Sequence, residues 1–325
     1  MRGDGVRART REGRRAPGLT LALALTAATG CSLEEVTLVE AEDVVVAEVY
    51  VQLSPGDFTA SRATAWLHRT LDGGVATSRP VPGAQILITA DRGYSVELAE
   101  TAQGTCAVAT PVEGTGTCYA TTPDFAHRFL PGDRLTVEIV LPGGGALEGA
   151  STVPGNFQMV GPAAAGQCVV APLRPVTLRW RRSAGTWAYV NETVIGGLRA
   201  ALTPQGIEVE EDPLYLLGLS VSAADTSIVF PGEFGVFNRF ELDRGVAVAL
   251  QKGMPANTRA RVSITAGDRN YVNWVRGGGF NPSGQVRIPS LRGDGTGVFA
   301  TTVTRTFRVD VLPSEQTGAP LCGDR

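Results

Sequence analysis

The chain has 325 residues, a formal net charge of −3 and 19% charged residues. That length suits about two domains, and the near-neutral balance excludes the broad basic surface that binding to nucleic acid requires. Glycine supplies 40 residues and aromatics only 6%; with many Thr and Val this points to strands and turns.

Arg2, Arg7, Arg9, Arg11, Arg14 and Arg15 precede an apolar run at 19–30, which passes through Ala28, Thr29 and Gly30 into Cys31. Positive region, apolar region and small residues are the order of an export signal. With a cysteine directly behind it, the stretch resembles the lipobox of bacterial lipoproteins. The resemblance implies that residues 1–30 are a signal peptide. Cys31 then carries lipid on its sulfur and new N-terminus, with no cofactor besides that covalent lipid. An acyl chain holds a protein on a bilayer through about 0.8 kcal/mol per buried CH2. The alternative is an ordinary secretory signal in which Cys31 is simply the first cysteine. The run is shorter than the roughly 20 residues of a membrane span, and nothing after Cys31 approaches that length.

Residues 31–42 read as a tether; its Ser32-Leu33-Glu34-Glu35 start is either a surface-export signal or a solvated linker. The Val-rich stretch 43–53 is the first strong strand, apolar enough for burial on both faces. Residues 63–70 form a second strand, with Trp66 and His68 on one face. Strands at 84–89 and 94–98 flank the turn at Asp91-Arg92-Gly93 as a hairpin. A short strand at 117–120 follows. Strand 134–140 and its return at 146–153 turn around Gly143-Gly144-Gly145. Strands at this spacing over 43–155 fit an Ig-like sandwich.

Residues 156–172, rich in Gly, Ala and Pro, read as a linker. A second unit, 173–325, has strand candidates at 176–180, 186–194, 214–222, 247–250 and 261–265, the last of edge type. Tyr271, Trp274 and Val275 fall at i, i+3, i+4 and make 268–275 a short helix. A final strand pair runs from 297–299 to 308–311. Segment 224–243 has no clear period. The expected fold class is all-β: two consecutive Ig-like or fibronectin-like β-sandwich domains, the second with a short helix, behind a lipoprotein signal peptide.

Besides Cys31 there are four cysteines, Cys106, Cys118, Cys168 and Cys322. An even count in an exported chain reads as disulfides with three possible pairings. Cys106–Cys118 with Cys168–Cys322 is favoured, because the first pair brackets a turn-rich segment and the second ties the start of the second half to the end of the chain. Such bridges contribute roughly 3 to 5 kcal/mol in chain-entropy terms. Zinc would need a C-x-x-C pair or more than His68 and His127, so no metal site is expected.

No catalytic set is visible. There is no Gly-x-Ser-x-Gly elbow, His68 reads as a half-buried sheet residue, and His127 reads as a surface residue. Glu210-Glu211-Asp212 could serve glycoside hydrolysis only with a second acid across a cleft; it could also hold Ca2+, but shows no ordered ligand spacing. Gly293-Asp294-Gly295-Thr296-Gly297 lacks the Lys-Ser/Thr of a phosphate loop and reads as a turn. Arg292-Gly293-Asp294 matches an adhesion tripeptide, and Asn191-Glu192-Thr193 is a sequon. Trp180 and Trp187 read as core residues.

The acyl-Cys order, the early Val-rich strand, the Pro82-Gly83-Ala84 hairpin, the Pro131-Gly132-Asp133 strand pair closing at Val153-Pro154, and Gly295-Thr296-Gly297-Val298-Phe299 together resemble a family of outer-membrane lipoproteins of unknown function. Its members are often encoded beside TonB-dependent transporters. The resemblance implies an outer membrane reached through the lipid anchor and a transporter or other envelope protein as partner. It supplies no catalytic residue. The expected function is therefore a non-enzymatic accessory or binding module, with a structural or adhesive surface module as the alternative and a glycan hydrolase least favoured. Exposed loop aromatics are the usual material of protein contacts. The candidate partner contacts are Trp274, beside Arg276 and Gly277-Gly278-Gly279, with Phe234 and Phe237 in the company of Phe230 and Phe240.

Overall fold

A computed structural model describes residues 43–70, 79–106, 116–220, 222–233, 243–277, 288–311 and 321–322. Its first strand, β1 (Val45–Leu53), alternates buried and half-buried positions along its whole length. The fully buried set, Val45, Ala47, Val49, Val51 and Leu53, faces the core, and β1 has a partner strand on each side. On one side it runs antiparallel to β2 (Arg62–Arg69). On the other it runs parallel to the last strand, β17 (Gly295–Val311), with Val45 opposite Gly295 and Leu53 opposite Val303.

The remaining elements in chain order are β3 (Arg79–Pro80), β4 (Gln85–Ala90), β5 (Ser95–Thr101), β6 (Thr117–Ala120), β7 (Arg134–Val140), β8 (Ala146–Thr152), β9 (Met159–Val160), β10 (Gln167–Val170), β11 (Val176–Trp180), β12 (Ala188–Gly196), α1 (Leu198–Leu202), β13 (Leu214–Leu219), β14 (Ser227–Phe230), α2 (Arg244–Gln251), β15 (Arg259–Gly267), α3 (Arg269–Gly277) and β16 (Leu291–Gly293). The fold is all-β with short helices. The large sheet is ordered β13-β12-β15-β17-β1-β2-β6-β5-β4-β7-β8-β16, with β10 added to β17 and β3 to β2. A small sheet, β14-β11-β9, completes the strand set among the described residues. One continuous apolar core runs from Val45 and Ile86 through Phe157 and Tyr189 to Val309 and Val311.

Both hairpins expected in the first half are present, as β4–β5 and β7–β8. Alternation is strict where one face meets water: β7 reads exposed and buried residue by residue. The disulfides join Cys106 to Cys118 and Cys168 to Cys322, the favoured pairing.

Five expectations are corrected. Segment 156–172 is not a linker: Phe157, Met159, Ala163, Cys168, Val169 and Val170 are buried, and β10 pairs with β17. The final strand pair is one 17-residue strand. Its start pairs with β1 of the first half and its end with β15 of the second, so strands of both halves share one sheet where two consecutive domains were expected. Residues 247–250 are helical, within α2. Asp243 caps that helix, accepting from the amides of Gly245 and Val246, and Val246 and Leu250 at i and i+4 face the core. Finally, β15 is not an edge strand; β12 and β17 cover both its sides. Its polar residues read as edge chemistry, but they meet hydroxyls on the neighbouring strand.

The parallel β1–β17 junction depends on a glycine. Gly297 has φ +137°, and a Cβ there would lie 1.9 Å from the Ala47 carbonyl oxygen. Gly93, at φ +87° in the β4–β5 turn, has open space around it. Gly297→Ala is expected to lower unfolding free energy by roughly 3 kcal/mol, and Gly93→Ala by about 1 kcal/mol. Urea titration of both variants checks this, and equal losses would contradict the steric assignment.

Candidate functional site

The site is the outer face of the central sheet, where α3 lies across β17. The chain leaves β15 at Gly267, turns at Asp268 and starts α3. Asp268 acts as the N-terminal cap: its Oδ1 accepts from the Tyr271 amide at 2.8 Å. Its Oδ2 accepts from Ser151 Oγ at 2.7 Å, and Ser151 Oγ lies 2.6 Å from Thr301 Oγ1. The Asn270 side-chain amide donates to the carbonyls of Ala150 at 3.0 Å and Phe299 at 2.9 Å. Two residues at the helix start thus fasten β8 to β17. Burial raises the Asp268 carboxyl to about 6, against the opposing pull of its hydrogen bonds from Ser151, Tyr271 and Thr301.

Along α3, Trp274 packs with Val298 and Ala300 of β17 and with Tyr50 and Tyr271. The rings of Tyr50 and Tyr271 meet edge to face at 6.3 Å. Gly267 makes room for this, because a Cβ there would lie 2.6 Å from the Tyr271 ring.

Beyond α3 the face becomes polar. Thr265 of β15 and Thr304 of β17 meet hydroxyl to hydroxyl at 2.9 Å, as do Ser263 and Thr306. Glu192 of β12 stands opposite Ser263. Burial pushes the Glu192 carboxyl up, and the positive charges of Arg261 and Arg62 pull it back. Burial raises the Tyr271 hydroxyl, and the Glu192 charge adds to that. A carboxyl, two guanidinium groups, a phenol and a row of hydroxyls thus converge on one sheet face. Thr265 and Thr304 are buried and bonded to each other, so Ser263, Thr306 and the charged groups are what remain to hydrogen-bond a polar ligand; the set lacks a nucleophile with a positioned base. His68 lies about 20 Å along β2 from Arg62, its Nδ1 near the Arg69 carbonyl. His127 stacks on Phe58 at 4.6 Å.

The residues expected to carry a site are dispersed. Cys31, Phe234, Phe237 and Phe240 lie outside the described residues. Phe230 is buried at 2% exposure. Trp274, expected as a partner contact, is 8% exposed and belongs to packing: α3 continues to Gly277, so the ring sits on a helix face turned to the sheet. Trp187, expected in the core, is 48% exposed. It falls in the turn before β12, where its amide donates to Gly267 and Arg269 covers its ring at 5.4 Å. Asp212 accepts from the amides of Gly197 and Arg199, which makes it a support for α1. Asp294 accepts from the Ala146 amide and fixes the β16–β17 turn. Sequence reading passed over Asp268 and Glu192. An Asp at the first position of the predicted helix was the available signal for the first; Glu192 showed only as the middle of a sequon.

Among the described residues, no group of three or more His, Cys, Asp or Glu could hold a metal, and no helix is long and apolar enough to cross a membrane. No family model and no curated protein matches the chain. Among solved structures it is similar to a DUF4785 family protein from Legionella pneumophila, at 9% identity, over 68% of this chain and 51% of that one, with a TM-score of 0.19. The chain spans about half the length of that structure. A score that low defines no common fold from which an activity could be carried over.

Two measurements test this reading of the site. The Asp268 carboxyl is raised in the folded state, so the folded chain binds the extra proton between about pH 4 and 6. Stability from this group is present below pH 4 and lost as the pH rises through 6, a change of roughly 3 kcal/mol. Thermal unfolding from pH 4 to 7 is expected to show a larger loss in the parent than in Asp268→Asn, which retains only the contribution of the also raised Glu192, so parallel profiles would contradict it. Trp274→Ala is expected to cost roughly 3 kcal/mol of stability. A variant melting with the parent would return Trp274 to the role of a contact residue.

Proposed function

We propose that the protein is a non-enzymatic binding module of the bacterial envelope, lipid-anchored through Cys31. The pair of disulfides carries this reading, since such bonds persist in exported proteins. The order of Arg-rich leader, apolar run, small residues and Cys31 supports the anchor. The polar sheet face around Glu192, Arg62 and Arg261 supports binding rather than turnover, because it offers hydrogen-bonding groups with no base beside a nucleophile. The anchor is placed in the outer membrane, with a transporter or other envelope protein as partner, on the resemblance in chain order alone.

Membrane fractionation tests the anchor. The parent chain is expected in the detergent-soluble membrane fraction, with lipid on both the sulfur and the N-terminus of Cys31 by mass spectrometry. Cys31→Ala is expected in the soluble fraction or uncleaved. An unmodified Cys31, or cleavage elsewhere, would overturn the proposal.

A further inference from the structure

A second site lies apart from the sheet face, in an open groove of about 470 Å3 between α1 and α2. That volume is in the usual range for small-molecule sites, about 300 to 1,000 Å3. Its floor is apolar: Leu173, Leu202, Ile207, Val248 and Ala249 line it. α2 commits Val246 and Leu250 to the core and leaves Val248 45% exposed over the groove. Leu173 is 59% exposed and has φ +55°, a conformation that costs a branched side chain free energy. Gly245 keeps the floor closed, since a Cβ there would meet Ile207 at 3.2 Å.

Arg244, Val248 and Lys252 fall at i, i+4 and i+8, so one stripe of α2 has a cation at each end and an apolar centre. From Arg244 to Lys252 the helix rises about 12 Å. Lys252 complements the negative end of the helix dipole, which is reason enough for its place. Arg244 does the opposite: it sits at the positive end, where a cation is unfavourable. Asp243 beside it is occupied in capping Gly245 and Val246. No ion pair of Arg244 occurs among the described residues. A cation without an ion pair among the described residues, at the positive end of a dipole and the head of an apolar groove, is complementary to an anion with an aliphatic tail.

We propose that this groove binds a linear fatty carboxylate, its head on Arg244 and its chain along Val248 toward Leu173. The site is independent of the anchor, so its test is made on the full chain with and without Cys31→Ala; binding is expected in both. Calorimetric titration with decanoate below its micelle concentration is expected to saturate at one site. Acetate, which lacks the chain, and decanol, which lacks the charge, are expected to bind about tenfold more weakly or not at all. Arg244→Gln is expected to weaken decanoate about tenfold, and Lys252→Gln to leave it nearly unchanged. Val248→Asp is expected to abolish binding while retaining the parent melting temperature, because the side chain is exposed. Decanol binding as well as decanoate, a dominant effect of Lys252→Gln, or undiminished binding to Val248→Asp would overturn the proposal. So would the absence of decanoate binding to the parent chain. If instead an acidic, Leu-containing peptide binds and decanoate does not, the groove is a peptide site and the fatty-carboxylate assignment is wrong.

Discussion

The structure depends on one pairing, the parallel contact between β1 and β17. A parallel pair cannot close through a tight turn. Here the crossover is most of the chain, from Leu53 to Gly295. Every element between those residues is therefore enclosed by the pairing of the two ends. Gly297 permits the approach, because its missing Cβ leaves room for the Ala47 carbonyl. The disulfide from Cys168 to Cys322 reinforces the same closure, joining β10, which also pairs with β17, to the segment after it.

That closure explains the polar anchor at Asp268. β17 is paired by β1 along its first half and by β15 along its second, and the two partnerships meet near Thr302. At this point the chain must leave β15 and begin α3. Asp268 and Asn270 serve three elements at once, capping α3 and bonding to β8 and β17. A buried carboxyl costs free energy unless its oxygens are satisfied, and here the Ser151 hydroxyl and the Tyr271 amide each supply a donor. The apolar cluster of Trp274, Val298 and Ala300 continues the same attachment by packing.

The two candidate ligand surfaces differ in chemistry because they belong to different parts of this framework. The sheet face is built from residues on four strands, β2, β12, β15 and β17, so its hydroxyl rows and charged groups keep fixed spacing. The groove is built from short helices and the Leu173 turn, whose inner faces have already been spent on the core. Its apolar lining is what remains on their outer sides. Rigid strands suit a polar ligand that needs directional bonds, whereas a helix stripe with one cation suits an amphiphile.

Local chemistry in the sequence was enough for the strands with strict alternation, the two hairpins of the first half, the α3 helix and the disulfide pairing. In each of these, burial or turn geometry is decided by residues close together in the chain: Leu135, Val137 and Ile139 point one way whatever else happens, and Asp91-Arg92-Gly93 turns by its own conformational freedom. The export signal and Cys31 are legible for the same reason, being a linear order of charge, apolar run and small residues. Tertiary structure decided what depends on distant partners. Gly297-Val298-Phe299 shows no preference for β1 until Val45–Leu53 lies beside it, so the shared strand could not be read locally. Ala247 to Leu250 suits either strand or helix, and the Asp243 cap together with core contacts selected the helix. Trp187 and Trp274 exchanged their expected places, since a ring's burial is set by what packs over it. Glu192 became part of a site only when Arg62 and Arg261, far away in the chain, were brought to the same sheet face.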